Sequence, residues 1–71
     1  MEREIAIRGE VIRLGQLLKL AGLIDAGGEA AAYLESGGVR VNGEAESRRG
    51  RKVRPGDEVV AGGETLRIVA R

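Results

Sequence analysis

The sequence predicts an α+β domain, two short packed helices against a small antiparallel sheet, and three observations carry that reading. Leu14, Leu17, Leu18 and Ala21 fall at i, i+3, i+4 and i+7, the apolar stripe of an amphipathic helix. From Val39 onward the apolar period drops to two, as in Val39-Arg40-Val41 and Thr65-Leu66-Arg67-Ile68-Val69, which is the period of a half-buried strand. Asn42-Gly43 and Pro55-Gly56 interrupt that second half with turn chemistry, so its strands fold back on one another.

Taken in order, Glu4-Ile5-Ala6-Ile7-Arg8 alternates charged and aliphatic residues and predicts a short strand, which Gly9-Glu10 breaks. The first helix follows. Gly22 stands where a left-handed C-terminal cap belongs, and Leu23 is placed to fold back on the last turn. A second helix is expected from about Gly28 to Ser36, with Ala30, Tyr33 and Leu34 facing inward, Asp25 as its N-cap and Gly37-Gly38 as its end. Val39-Arg40-Val41 and Glu44-Ala45-Glu46 then flank Asn42-Gly43, whose residues supply the two positive-φ positions of a type I′ hairpin turn. Arg54-Pro55-Gly56-Asp57 is a second turn, with Pro55 set for its first central position and Gly56 for its second. Glu58 to Ala61 and Thr65 to Val69 read as two strands joined around Gly62-Gly63. With no repeat, linker or low-complexity tail, residues 1–71 read as one domain.

Composition narrows the function. A chain of this size buries only about 60% of the surface its unfolded form exposes, which leaves little room for a deep substrate pocket. Tyr33 is the only aromatic residue, so the core is aliphatic. The absence of cysteine excludes a disulfide framework and a thiolate metal site, and the absence of histidine removes the commonest general base and metal ligand. Ser36, Ser47 and Thr65 are the only aliphatic hydroxyls and no base accompanies them, so no catalytic residue is assigned and no enzyme is expected. Glu44 and Glu46 share one face of their strand and read as exposed carboxylates paired with nearby arginines, not as an acid–base couple. Gly27, Gly28 and Gly37 lack the Lys-Ser/Thr that a phosphate-binding loop requires. No apolar run is long enough for a signal peptide or a membrane span. The expectation is a cytoplasmic protein with no metal, cofactor, membrane or small-molecule partner.

The net charge of +1 conceals an asymmetry. Residues 1–38 carry four basic against six acidic side chains, and residues 39–71 carry eight against five. Within the second half, Ser47 to Arg54 reads Ser-Arg-Arg-Gly-Arg-Lys-Val-Arg, with five cations and no acid. An anionic partner responds to such a patch and not to the net charge. Arg48, Arg49, Arg51 and Lys52 are suited to phosphate, the guanidinium fork meeting two oxygens at once, and Gly50 among them lets backbone approach a partner closely. Lys19, on the polar face of the first helix, reads as a solvated charge.

Several of these blocks occur together in a known order. Arg13-Leu14-x-x-Leu17-Leu18-x-x-x-Gly22-Leu23, then Ala30, Leu34 and Gly37, then Val39-x-Val41-Asn42-Gly43, then Val53-x-x-Gly56-Asp57 resembles the S-four RNA-binding domain, or αL motif. The resemblance covers about residues 12 to 59 and extends to short bacterial stand-alone members, which carry a Gly-Gly-Glu-Ala stretch like Gly27 to Ala30 here. It implies that two helices and a hairpin form an L-shaped surface laid against structured RNA, ribosomal RNA or tRNA, with a ribosomal subunit as a further partner. Carried over by position, the RNA-facing residues are Arg13, Arg40, Arg48, Arg49, Arg51 and Lys52. Gly22, Gly37, Asn42, Gly43, Gly56 and Asp57 are then structural, setting helix ends and turns. Two positions depart from the family pattern: Gly15 stands where Asp is common, and Ala26-Gly27 stands where Ser-Arg opens the second helix. The lack of aromatics counts against base-stacking recognition of single strands. A protein-interaction module, docking its basic loop on an acidic protein, is the alternative.

Overall fold

The computed structural model describes residues 1–71. In chain order its elements are β1 (Glu2–Ile7), β2 (Ile12–Arg13), α1 (Leu14–Leu20), a 3-10 turn (Gly27–Glu29), α2 (Ala30–Glu35), β3 (Arg40–Val41), β4 (Glu44–Ala45), β5 (Lys52–Val53), β6 (Glu58–Ala61) and β7 (Glu64–Ala70). Two short helices pack against a five-stranded sheet of order β1-β7-β6-β3-β4, and β2 with β5 forms a separate two-stranded ladder.

The main sheet is mostly antiparallel, as expected, with one parallel pair at its edge. The pairs β3–β4, β3–β6 and β6–β7 are antiparallel, but β1 runs parallel to β7. Tight turns dictate an antiparallel direction for strands that follow one another. No turn joins β1 to β7, and the whole helical unit lies between them, so sterics and packing set that direction instead.

Register aligns the core. Val41 pairs with Val59, Val59 with Leu66, and Leu66 with Arg3, so one row of side chains crosses four strands. Val41, Val59 and Leu66 are fully buried within a core cluster of 16 apolar residues. Arg3 ends the row at the margin of the core. Its guanidinium donates to the Ala21 carbonyl at 3.0 Å and to Glu64 Oε1 at 3.2 Å. A cation is favoured there, because unpaired carbonyls gather at the C-terminus of α1.

Helix α1 presents Leu14, Leu17 and Leu18 to this core. It stops because Gly22 turns left-handed, with φ +79°. The Gly22 N–H then donates to the Lys19 carbonyl at 3.0 Å and the Leu23 N–H to the Leu18 carbonyl at 3.0 Å, the paired bonds of a Schellman ending. Leu23 folds back against the core as a partly buried residue.

The second helix begins two residues later than its spacing suggests, and Asp25 does not cap it. Glu29 reaches back instead: its Oε1 accepts from the Asp25 N–H at 2.8 Å and the Ala26 N–H at 3.4 Å. Gly27-Gly28 is a poor helix former, so this segment tightens into a 3-10 turn before Ala30 starts the helix proper. Ala30 and Leu34 are buried, and Tyr33 packs half-buried against the core. The Tyr33 hydroxyl lies over the β6–β7 turn, where a Cβ on Gly62 would sit only 2.9 Å from it. No helix is long and apolar enough to cross a membrane.

Candidate nucleic-acid interface

Two turns frame the basic segment. At the β3–β4 turn Asn42 has φ +51° and Gly43 +85°. At the second turn the Asp57 N–H donates to the Arg54 carbonyl at 3.0 Å, and the Arg54 N–H donates to Asp57 Oδ2 at 2.8 Å. Asn42 joins them: its Nδ2 donates to Asp57 Oδ1 at 3.1 Å while its Oδ1 accepts from the Glu58 N–H at 2.9 Å. Partial burial pulls the Asp57 carboxyl upward, but the bonds from Arg54 N–H and Asn42 and the charges of Arg51 and Arg54 outweigh it and leave the group below its usual range.

Between the turns, the basic stretch is a ridge docked through its backbone, while Arg48, Arg49, Gly50 and Lys52 stay exposed to solvent. The Arg51 N–H donates to the Arg48 carbonyl at 3.2 Å, closing a reverse turn over Arg49-Gly50. Lys52 and Val53 leave that turn as β5 and pair with Arg13 and Ile12. These two-residue strands are too short for their alternation to be visible in sequence. Helix α1 has no side-chain N-cap. Its first N–H groups are satisfied by the ridge itself, Leu14 donating to the Arg51 carbonyl at 2.8 Å and Gly15 to the Arg49 carbonyl at 2.9 Å. The helix start and the basic turn are therefore one unit.

Gly15 eases that docking. A Cβ there would lie 3.3 Å from the Cβ atoms of both Ala30 and Arg49 and 3.5 Å from the Arg49 carbonyl oxygen. Glycine at this departure from the family pattern thus allows close approach of α1, α2 and the ridge.

Glu46 sits at the base of the ridge, and here the expectation of an exposed carboxylate is corrected. Its pairing with arginine is present, but its side chain is only 7% exposed. Oε2 accepts from the Ser47 N–H and the Arg48 N–H, each at 3.0 Å, and from Arg48 Nε at 3.2 Å. Oε1 accepts from Arg51 Nη1 at 2.9 Å and from Arg48 Nη2 at 3.3 Å. The Arg48 side-chain bond, then the Arg48 backbone N–H and the Arg51 bond, hold the Glu46 carboxyl down at about 2 against an opposing desolvation cost. The same bond raises the Arg48 guanidinium. Glu44, two residues earlier on the strand, remains exposed.

Two polar clefts flank Gly50. One, of about 510 Å³, is lined by Arg48, Gly50, Arg51, Lys52, Arg54 and Asp57. The other, of about 290 Å³, is lined by Arg13, Gly15, Gln16, Gly27, Arg49 and Gly50. Five of the six sequence-selected cations are gathered here, with Arg13 brought beside Arg49 across 36 residues of sequence. Arg40 lines neither cleft; it is exposed on β3 and its Nη1 donates to the Gly43 carbonyl at 3.2 Å. Arg54 and Gln16 were not among the selected residues. Arg54 was visible as the last cation of the run, whereas uncharged Gln16 carried no signal.

A small α+β module with a cation-lined ridge locked to a helix start is defined by this fold and site. The chain belongs to the S4 domain family, whose model matches residues 5–69. It is 49% identical over 59 residues to a probable ribosome maturation protein, RlbA, of Bacillus subtilis (strain 168), covering 83% of each chain. It is also 41% identical over 56 residues to a tyrosine–tRNA ligase of Burkholderia lata and 39% identical over 56 residues to that of Burkholderia thailandensis. Those matches cover 79% of this chain but only 14% of either ligase.

Proposed function

We propose that residues 1–71 act as one RNA-binding module for structured RNA, ribosomal RNA or tRNA, working in association with the ribosome and without chemistry of its own. The observation that carries this reading is the fixed ridge. Arg13, Arg48, Arg49, Arg51, Lys52 and Arg54 line adjoining clefts on a backbone tied into the start of α1. Guanidinium and ammonium groups gathered on one ordered stretch of backbone suit the phosphates of folded RNA, whose shape is recognised through backbone and 2′-hydroxyl contacts. Membership in the S4 domain family supports it, as does similarity to a protein named for ribosome maturation and to ligases named for tRNA. Arg40, apart from the clefts, is a peripheral contact in this reading.

The test is titration with tRNA and with a folded rRNA fragment at rising salt. Four to six phosphate contacts give a slope of log affinity against log salt of roughly −3 to −5. A flat salt response, or no binding at low salt, overturns the reading. A protein complex that survives ribonuclease and is lost on charge reversal at Arg48 and Arg49 favours docking on an acidic protein instead.

A further inference from the structure

Two carboxylates stand at the ridge, Asp57 in the wall of the larger cleft and Glu46 beneath Arg48 and Arg51, and where the proposed ligand is itself an anion, charge counting alone makes Glu46 a liability. We infer that Glu46 is a positioning residue for RNA binding, whose carboxylate holds Arg48 and Arg51 in their binding geometry, so that removing its negative charge weakens binding to structured RNA. The inference rests on the RNA-binding reading above.

The geometry separates this from simple competition with phosphate. Glu46 is 7% exposed, beneath Arg48 at 77% and Arg51 at 30%. It engages Arg48 through Nε and Nη2 and Arg51 through Nη1, leaving Arg48 Nη1 and Arg51 Nη2 and Nε free of it. The same carboxylate accepts the Ser47 and Arg48 backbone N–H groups. A phosphate arriving at the rim meets guanidiniums already oriented and cannot take the covered place of Glu46. Long cationic side chains otherwise lose rotamer freedom on binding. Here that loss is incurred on folding, which is the general advantage of preorganisation.

Glu46→Gln preserves size and hydrogen-bonding oxygen while raising the net charge. Three measurements on the full chain test it: affinity for tRNA or a folded rRNA fragment, affinity for heparin as an unstructured polyanion, and the order of the Arg48 Nε–H by nitrogen-15 relaxation. The expected result is about a tenfold loss of structured-RNA affinity, of the size set by freeing two ordered side chains. Heparin affinity is expected to be unchanged or higher, and the Arg48 Nε–H to become mobile. Glu46→Asp, which keeps the charge beside both guanidiniums, is expected to recover most of the lost affinity, and this guards against a general folding defect. Wild-type or tighter RNA binding by Glu46→Gln, an unchanged Arg48 Nε–H, or no recovery in Glu46→Asp overturns the positioning role alone. A wild-type chain that binds neither RNA overturns the reading of the site and this role with it.

Discussion

The Asn42 amide donates to the Asp57 carboxylate across 3.1 Å, and through this contact the turns on either side of the basic ridge become a single frame. The two residues are 15 positions apart, yet Asn42 also bonds the backbone of Asp57's neighbour twice: the Asn42 N–H reaches the Glu58 carbonyl at 2.8 Å, and the Glu58 N–H reaches Asn42 Oδ1 at 2.9 Å.

Asn42→Ala removes both side-chain bonds and places a β-carbon at φ +51° without asparagine's local compensation. The expected cost is about 2 kcal/mol, read as a lower urea midpoint with an unchanged slope. Combining it with Asp57→Ala should give a loss smaller than the sum, with a coupling of about 1 kcal/mol, because the two share one contact.

Acid should loosen the ridge before it touches the aliphatic core. The Glu46 carboxyl is held down to about 2 when folded, against an ordinary value of 4.5, and Asp57 is likewise lowered. A carboxylate depressed on folding contributes stability that is fully present above its unfolded value. For Glu46 that contribution falls away as pH drops from about 4.5 through about 2. After discounting for solvent screening, its share is about 1 kcal/mol. Urea midpoints measured from pH 6 to pH 2.5 should decline in the wild type and decline less in Glu46→Gln.

Gly15→Leu should separate ridge docking from helix formation. Leucine is a better helix former than glycine by nearly 1 kcal/mol, but its Cβ would begin 3.3 Å from both Ala30 and Arg49. We expect a net destabilisation of about 2 kcal/mol and loss of exchange protection at the Leu14 and Gly15 amides, measured by hydrogen exchange.

Arg49→Ala and Lys52→Ala should each weaken structured-RNA binding and lower the salt slope by about one. Arg67→Ala is the matched control. It removes the same charge, but Arg67 is bound to Glu2 at 2.9 Å, lies 3.8 Å from Glu58 and lines neither cleft. Its RNA affinity should stay within about twofold of wild type, since a cation outside the contact surface changes little beyond long-range screening.

What the sequence made legible was local. The stripe from Leu14 to Ala21, the Gly22 ending and the Asn42-Gly43 turn each follow from residues within a few positions of one another, and the fold carries all three. The parallel pairing of β1 with β7 and the ladder between Ile12-Arg13 and Lys52-Val53 depend on tertiary closure over some forty to sixty residues, which periodicity does not encode. Glu46 was legible as an arginine partner. Its enclosure was not, because that follows from the Glu46 N–H bonding the Val39 carbonyl at 3.0 Å while Arg48 and Arg51 close over it. Asp25 misled because its type suits an N-cap, whereas Glu29 was long enough to satisfy the same amides from within the turn.

The parallel register of β1 and β7 has a mechanical consequence. Glu2 lies beside Thr65 and Ile7 beside Ala70, so residues 1 and 71 emerge from opposite ends of the same strand pair. Tension applied between them drags the two strands along each other and loads the whole row of backbone bonds at once, where a hairpin would unzip bond by bond. Resistance to such pulling is governed by the unfolding barrier. A stretched chain should therefore rupture in one high-force event, and a pull between residues 1 and 61, which bypasses β7, should open it far more easily.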